Sequence, residues 1–476
     1  MKYAPLENFI NGTHTSSNAA TLEITSPVNG QLLSSVPLSS TDDVQTAVAT
    51  AQAAFATWSG LTLRQRCDVF YRYRNLLQDN LDELSQICHE ENGKTIGESK
   101  AEVLKAIELT ELACALPNIV TGESLEVSPG FDCSIQQAPL GVVSCITPFN
   151  FPIMVPHWTI PMALALGNTM VFKPSEQVPL SANRAAELLT EAGLPDGVFN
   201  VIHGDRSVVE AICDHNDIRA LTFVGSTPVA QAVYARATST FKRALAMGGA
   251  KNHLIVMPDA EVQHTASNVA ASACGCAGQR CMAAATMVAV GEVDHIVDQV
   301  VEQSKALVPG DNLGAVISAN AKDRIEHFIT EAEEQGATVL LDGRGATVAG
   351  YEGGTYVGPT ILDNVTADMT IASAEVFGPV LSIIRANDLK EAIDLENASP
   401  YGNAAVVYTQ DGQVARQFAD QASAGMIGVN VGVPVPREPF GFGGWNDSRF
   451  GVGDITGRGS IQFWTQAKKI TSHWVE

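Results

Sequence analysis

The sequence predicts an α/β protein made of two parallel-sheet units and a small extra β element, and three observations carry that expectation. From residue 139 onward, short apolar runs punctuated by Gly and Pro alternate with stretches of helical character. The same rhythm begins again at residue 251. Two strand-like segments, 133–141 and 459–474, fit neither rhythm.

Taken in order, residues 42–56 (DDVQTAVATAQAAFA) and 61–92 carry helical apolar spacing, and Asn92-Gly93 supplies a stop signal. The first α/β unit follows through LGVVSCITPF, NTMVFKP, VFNVIHG and IRALTFVG, each leading into a helical stretch. The second runs through KNHLIVM, TMVAVGEV, ATVLLDG and PVLSIIRA. A boundary near residue 250 rests on Met247-Gly248-Gly249-Ala250, where small residues interrupt the pattern. CSIQQAPLG and GSIQFWTQAKKITSHW read as strands that would pair into an oligomerisation sheet.

At 476 residues the chain is too long for one ordinary core, and its 45% apolar content suffices for two or three domains. There is no uninterrupted apolar run of about eighteen residues, and the first residues lack the pattern of a secretory signal. A cytoplasmic protein is expected. Nine cysteines without paired spacing suit a reducing compartment, and the cluster Cys274, Cys276, Cys281 lacks the spacing of a zinc site. A formal charge of -23 argues against nucleic acid or an anionic membrane as partner. An anionic ligand would have to be drawn in by local cations and helix N-termini.

The chemistry-bearing residues sit at the ends of the apolar runs. Cys281 follows Arg280 in CAGQRCMA, within a small-residue stretch, so a cation beside the thiol would favour the attacking thiolate; the alternative is one more small buried residue. Asn150 in TPFNFP would offer a side-chain amide to a developing oxyanion, or simply serve the turn. The GxGxxG fingerprint is absent. In its place, Lys173 and Glu176 in FKPSEQ suit ribose hydroxyls, and Gly225 and Ser226 before a helix suit a pyrophosphate; a solvated turn and a helix cap are the plainer readings. Glu375 in AEVFGPV is either a ribose ligand or a strand-edge charge.

In order and rough spacing, PFNFP, KPSE, FVGST, GQRCMA and EVFGP resemble the aldehyde dehydrogenase superfamily over nearly the whole chain. GAKNHLIVMPDA, GQRCMA and ITSHW are similar to its CoA-acylating methylmalonate semialdehyde dehydrogenase branch. The resemblance implies an aldehyde dehydrogenase-like fold, with an NAD-binding domain in 1–120 and 141–250 and a catalytic domain holding the nucleophile Cys281 in 251–455. Oligomerisation strands would lie in 121–140 and 456–476, and a homotetramer or homodimer follows. It assigns Cys281 and Asn150 to catalysis, and Ile146, Thr147, Pro148, Phe149, Lys173, Glu176, Gly225, Ser226 and Glu375 to NAD. Coenzyme A is the implied co-substrate, and for a methylmalonate-like substrate loss of the carboxylate precedes acyl transfer.

Two departures refine this expectation. Hydrolytic relatives carry a general-base glutamate in ELGGK, whereas this chain reads Ala246-Met247-Gly248-Gly249-Ala250-Lys251, so Ala246 in that place removes the base and favours a thiol acceptor. The branch offers two arginines to a substrate carboxylate; Arg280 matches one, and Lys105 in VLKAIE stands where the other is expected, giving charge without a planar fork. Arg437 in PVPREPF is a further cation for the pocket mouth, or an exposed loop residue. A carboxylated semialdehyde is therefore the expected substrate. The alternatives are a hydrolytic enzyme giving a free acid and a catalytically silent homologue.

Overall fold

The computed structural model describes residues 1–17 and 19–474. Helices Thr41–Gly60, Leu63–Asp79, Leu81–Asn92 and Ile96–Cys114 build the first part. Ser40 and Asp43 form a capping box at the start of the first, and Gly93, at φ 93°, ends the third at the Asn92-Gly93 stop.

The first β-α-β rhythm becomes a sheet of eight strands. Its parallel centre runs Phe199–Val201, Thr169–Lys173, Val142–Ile146, Ile218–Val224, Arg243–Met247. The chain adds its first three central strands in one direction and the last two in the other. Strand order therefore reverses between Val142–Ile146 and Ile218–Val224, and open α/β sheets bind ligands in the crevice outside such a point. Neighbouring residues of one strand serve different cores: Val143 and Cys145 pack on one face, Val142 and Ile146 on the other, as a doubly covered sheet requires.

The second rhythm gives a seven-stranded sheet with six parallel strands, Thr360–Asp363, Val380–Ala386, Ala284–Val290, Asn252–Val256, Ala404–Tyr408 and Met426–Val429. The chain crosses from the first sheet to the second between Met247 and Asn252. Near its end it returns: Arg449–Phe450 adds antiparallel to Arg243–Met247. A separate antiparallel sheet joins Glu123–Ser128, Phe131–Pro139 and Thr465–His473.

Several segments differ from expectation. Thr338–Leu341 (in ATVLLDG) is an antiparallel edge strand, because no crossover helix separates it from Thr360–Asp363. Gly459–Trp464 is a helical turn, and the strand begins only at Thr465. Phe463 and Trp464 are buried, and the Arg243 guanidinium donates to the carbonyls of Gln462 and Thr465, which holds that turn closed. The strands Asn8–Ile10, Thr13–Thr15 and Arg243–Met247 were not expected: the first two are only three residues long, and the third (RALAM) has no β-branched residue to mark it. No helix among the described residues is long and apolar enough to cross a membrane.

Candidate active site

The crevice at the reversal point opens into a cleft of about 540 Å³. Pro148, Phe149 and Asn150 line it from the end of Val142–Ile146, and Gly225 and Ser226 from the end of Ile218–Val224. The opposite wall comes from the second sheet, where Cys281 precedes Ala284–Val290 and Glu375 precedes Val380–Ala386. The C-terminal edge of one sheet thus faces the N-terminal edge of the other.

Cys281 is held by the loop that delivers it. After helix Val262–Cys274 the backbone turns through Cys276 and Ala277, both at φ 52°, a left-handed pair that costs roughly 1–2 kcal/mol per residue. Gly278 then passes so close to Gly378 that a Cβ there would lie 1.9 Å from its carbonyl oxygen. The Cys281 carbonyl accepts from Asn252 Nδ2 at 2.8 Å and Asn403 Nδ2 at 2.9 Å, which fixes it from the first residue of Asn252–Val256 and from the residue just before Ala404–Tyr408. These two amides were not found by sequence reasoning. Asn252 lies in AKNH, inside a quoted motif, whereas Asn403 had no signal.

The expected activation by Arg280 is not what the geometry gives. Its Nη2 donates to the carbonyls of Ala271 and Ser272, 2.7 and 2.9 Å away, at the negative end of helix Val262–Cys274. Burial and the nearby Glu375 push the Cys281 thiol up to about 12, and Arg280 offsets this only weakly. The resting nucleophile is therefore a neutral thiol. Its reactive fraction should grow as pH rises: between pH 7 and 9 the rate of the first NADH burst is expected to climb about tenfold per unit, without a plateau. Stopped-flow bursts across that range measure it, and a flat profile would mean a thiol already ionised at rest.

Asn150 Nδ2 donates to the Gln279 carbonyl at 3.0 Å, two residues before the nucleophile, and keeps a second amide hydrogen for an oxygen developing beside the thiol. Glu375 accepts from the Ala250 N–H at 3.0 Å, and burial raises its carboxyl above the ordinary range. A Cβ on Gly249 would meet Glu375 Oε2 at 2.3 Å, so glycine there is what lets the carboxylate lie along this wall. Lys251, lowered to about 8 by burial, donates to the Ala374 carbonyl at 3.0 Å and steadies the same segment.

Other expected residues lie outside the cleft wall. Ile146 and Thr147 are buried where the strand ends and support Pro148 to Asn150. Lys173 and Glu176 form a 2.7 Å ion pair on the next strand of the same sheet edge. Lys105 is also not brought to Cys281: its ammonium pairs with Glu438 at 2.5 Å and Glu108 at 3.0 Å. Arg437 lines a separate surface groove with Glu438 and Arg458. The cation that does line the cleft is Arg324, which sequence reasoning missed because nothing in KDRIEH marks it.

The place of the missing base also shifts by one residue. Ala246 packs in the cluster on the far face of the sheet, with Ala244 and Ile146. Met247 packs with Val224 and Met282 in the cluster that Cys281 touches. Met247, not Ala246, thus lies on the face of the sheet whose core Cys281 packs against, and neither can accept a proton.

Comparison with known proteins places the chain in a family. The sequence profile described as the aldehyde dehydrogenase family matches residues 14–470. The malonate-semialdehyde dehydrogenase 1 of Geobacillus kaustophilus is 45% identical, over 98% of each chain. The malonate-semialdehyde dehydrogenase of Pseudomonas aeruginosa is 42% identical, over 98% of this chain and 96% of its own. The crystal structure of methylmalonate-semialdehyde dehydrogenase from Oceanimonas doudoroffii superposes with a TM-score of 0.98 at 39% identity, covering 100% of this chain and 99% of that one. A Sinorhizobium meliloti structure complexed with NAD, provisionally described as a methylmalonate-semialdehyde dehydrogenase, gives 0.98 at 41% identity with the same coverage. With the profile spanning nearly the whole sequence and relatives this similar along their full length, the chain belongs to the aldehyde dehydrogenase family.

Proposed function

We propose that the protein oxidises a semialdehyde of the malonate or methylmalonate type with NAD and delivers the acyl group to coenzyme A. The observation that carries this is the convergence of Cys281, Asn150 and Glu375 on one cleft at the strand-order reversal, in a chain 42–45% identical to malonate-semialdehyde dehydrogenases. The Cys281 thiolate adds to the aldehyde carbon, forming the S–C bond, while the oxygen takes up charge against the Asn150 amide and the Cys281 N–H. NAD supplies the hydride acceptor. Gly225 and Ser226, at the start of the 13-residue helix Thr227–Ser239, suit its pyrophosphate, while Glu375 and the Lys173–Glu176 pair suit ribose hydroxyls. Pro148 and Phe149, backed by Ile146 and Thr147, shape the wall beside it.

The Cys281 thioester is then attacked by the thiolate of coenzyme A; the new S–C bond replaces the old one, and Cys281 leaves as thiolate. A hydrolytic reading keeps one support, since Glu375 is a carboxylate within the cleft. The test is a panel of semialdehydes and plain aldehydes, each assayed for NADH with and without coenzyme A and for acyl-CoA by mass spectrometry.

Lys105 is expected to be a bystander to substrate charge, because Glu438 and Glu108 already hold its ammonium. Lys105→Ala should shift KM for malonate semialdehyde and for propanal by the same factor. A rise confined to the carboxylated substrate would return Lys105 to direct contact with it.

The sheet of Glu123–Ser128, Phe131–Pro139 and Thr465–His473 exposes Leu125, Val127, Phe131 and Ile470, and its edges suit a second copy of the chain. A homodimer or homotetramer follows, which light scattering measures; a monomer at micromolar concentration would exclude it. The nine free cysteines support a reducing, cytoplasmic setting.

A further inference from the structure

We propose that the buried ion pair Lys94–Glu102 is a positioning device that sets the Asn150 amide for oxyanion binding; the inference rests on the reading of Asn150 given above. Both side chains are enclosed, 2% and 0% exposed. Lys94 Nζ donates to a Glu102 carboxylate oxygen and to the backbone carbonyl of Asn150 itself. The other Glu102 oxygen accepts from the N–H groups of Ile153 and Met154, at 2.8 and 3.0 Å. Asn92 Nδ2 donates to the Phe149 carbonyl at 2.8 Å, and the Lys94 ammonium sits 3.8 Å from the centroid of the Phe151 ring.

The segment Phe149 to Met154 is thereby held at four backbone atoms and one ring by three side chains from residues 92–102. It needs such support. Between strand Val142–Ile146 and the short helix Met154–His157 it has no ladder partner, and Pro148 and Pro152 remove two backbone donors.

A buried ion pair is a weak device for stability alone, since desolvation of both charges works against it. Here burial is the largest influence and opposes the Lys94 charge, but Glu102 together with the neighbouring Cys88 and Cys276 offsets it and holds the ammonium above the ordinary lysine range. The pair's hydrogen bonds go largely to the one turn whose placement matters for an oxyanion donor. A side-chain amide displaced by about 1 Å loses most of its effect, on the order of a hundredfold in rate.

The test is a double-mutant cycle on the NADH burst rate. Asn150→Ala is expected to slow the burst by about a hundredfold or more, the scale of one oxyanion donor. Lys94→Met should slow it by about tenfold to a hundredfold, yet add almost nothing in the Asn150→Ala background, with NAD affinity unchanged. Because Lys94→Met leaves Glu102 charged and alone, Lys94→Met with Glu102→Gln is made as well: it should recover thermal stability and keep the slow burst. Should Lys94→Met fail to fold, that neutralised pair carries the cycle. Equal losses in both Asn150 backgrounds, or a normal burst in the neutralised pair, overturn the positioning role while leaving Asn150 as donor. A normal burst in Asn150→Ala overturns the donor reading and this proposal with it.

Discussion

Cys281→Ala is expected to abolish NADH formation with every aldehyde, a loss on the order of 10⁴-fold or more, while NAD binding stays intact. Cys281 is the one cysteine, among the described residues, that lines the cleft with Asn150 and Glu375. Cys274 and Cys276 are neighbours in sequence only. Both are buried, and neither lines the cleft. Cys274→Ala and Cys276→Ala should therefore lose far less activity. Removing one sulfur from a partly exposed site costs about 1 kcal/mol or less, so the thermal midpoint should barely move and the loss can be read as chemistry. Substantial turnover by Cys281→Ala, measured as steady NADH production, would sink the proposed covalent route.

What the sequence made legible follows from where the physics is local. Val142–Ile146 and Asn252–Val256 are short, carry β-branched residues and lie close to Gly or Pro on either side, so their strand character is written into their own residues. Beyond Arg243, the strand Arg243–Met247 has only alanine, leucine and methionine to show, and it is a strand because its neighbours pair with it. The candidate site divides in the same way. Pro148 to Asn150, Gly225 and Ser226 end strands visible in the sequence, and they line the cleft.

Side-chain direction was not legible. Arg280 is adjacent to Cys281 in the chain, but its guanidinium turns to the carbonyls of Ala271 and Ser272. The partner that occupies Lys105, Glu438, lies 333 residues away. The thiol's ionisation depends on burial, which no local motif records.

The second large effect concerns the acyl acceptor. Without coenzyme A, wild-type enzyme is expected to release close to one NADH per active site and then slow sharply, because its thioester meets no efficient base for water. Arg243–Met247 turns Met247, which cannot accept a proton, to the face of the sheet whose core Cys281 packs against. Glu375, among the described residues the one carboxylate lining the cleft, already accepts from the Ala250 N–H. Coenzyme A brings a nucleophile that needs no such base once ionised, so its addition should relieve the stall and yield acyl-CoA. A gain-of-function variant sharpens the argument. Met247→Glu should raise the coenzyme-A-independent rate, since its side chain enters the cluster that Cys281 touches, while Ala246→Glu should only destabilise, because it buries a charge on the far face. Rapid steady turnover of wild-type enzyme to free acid, unchanged by coenzyme A and without acyl-CoA in the mass spectrum, would remove the acylating reading and leave Glu375 as the base of a hydrolytic enzyme.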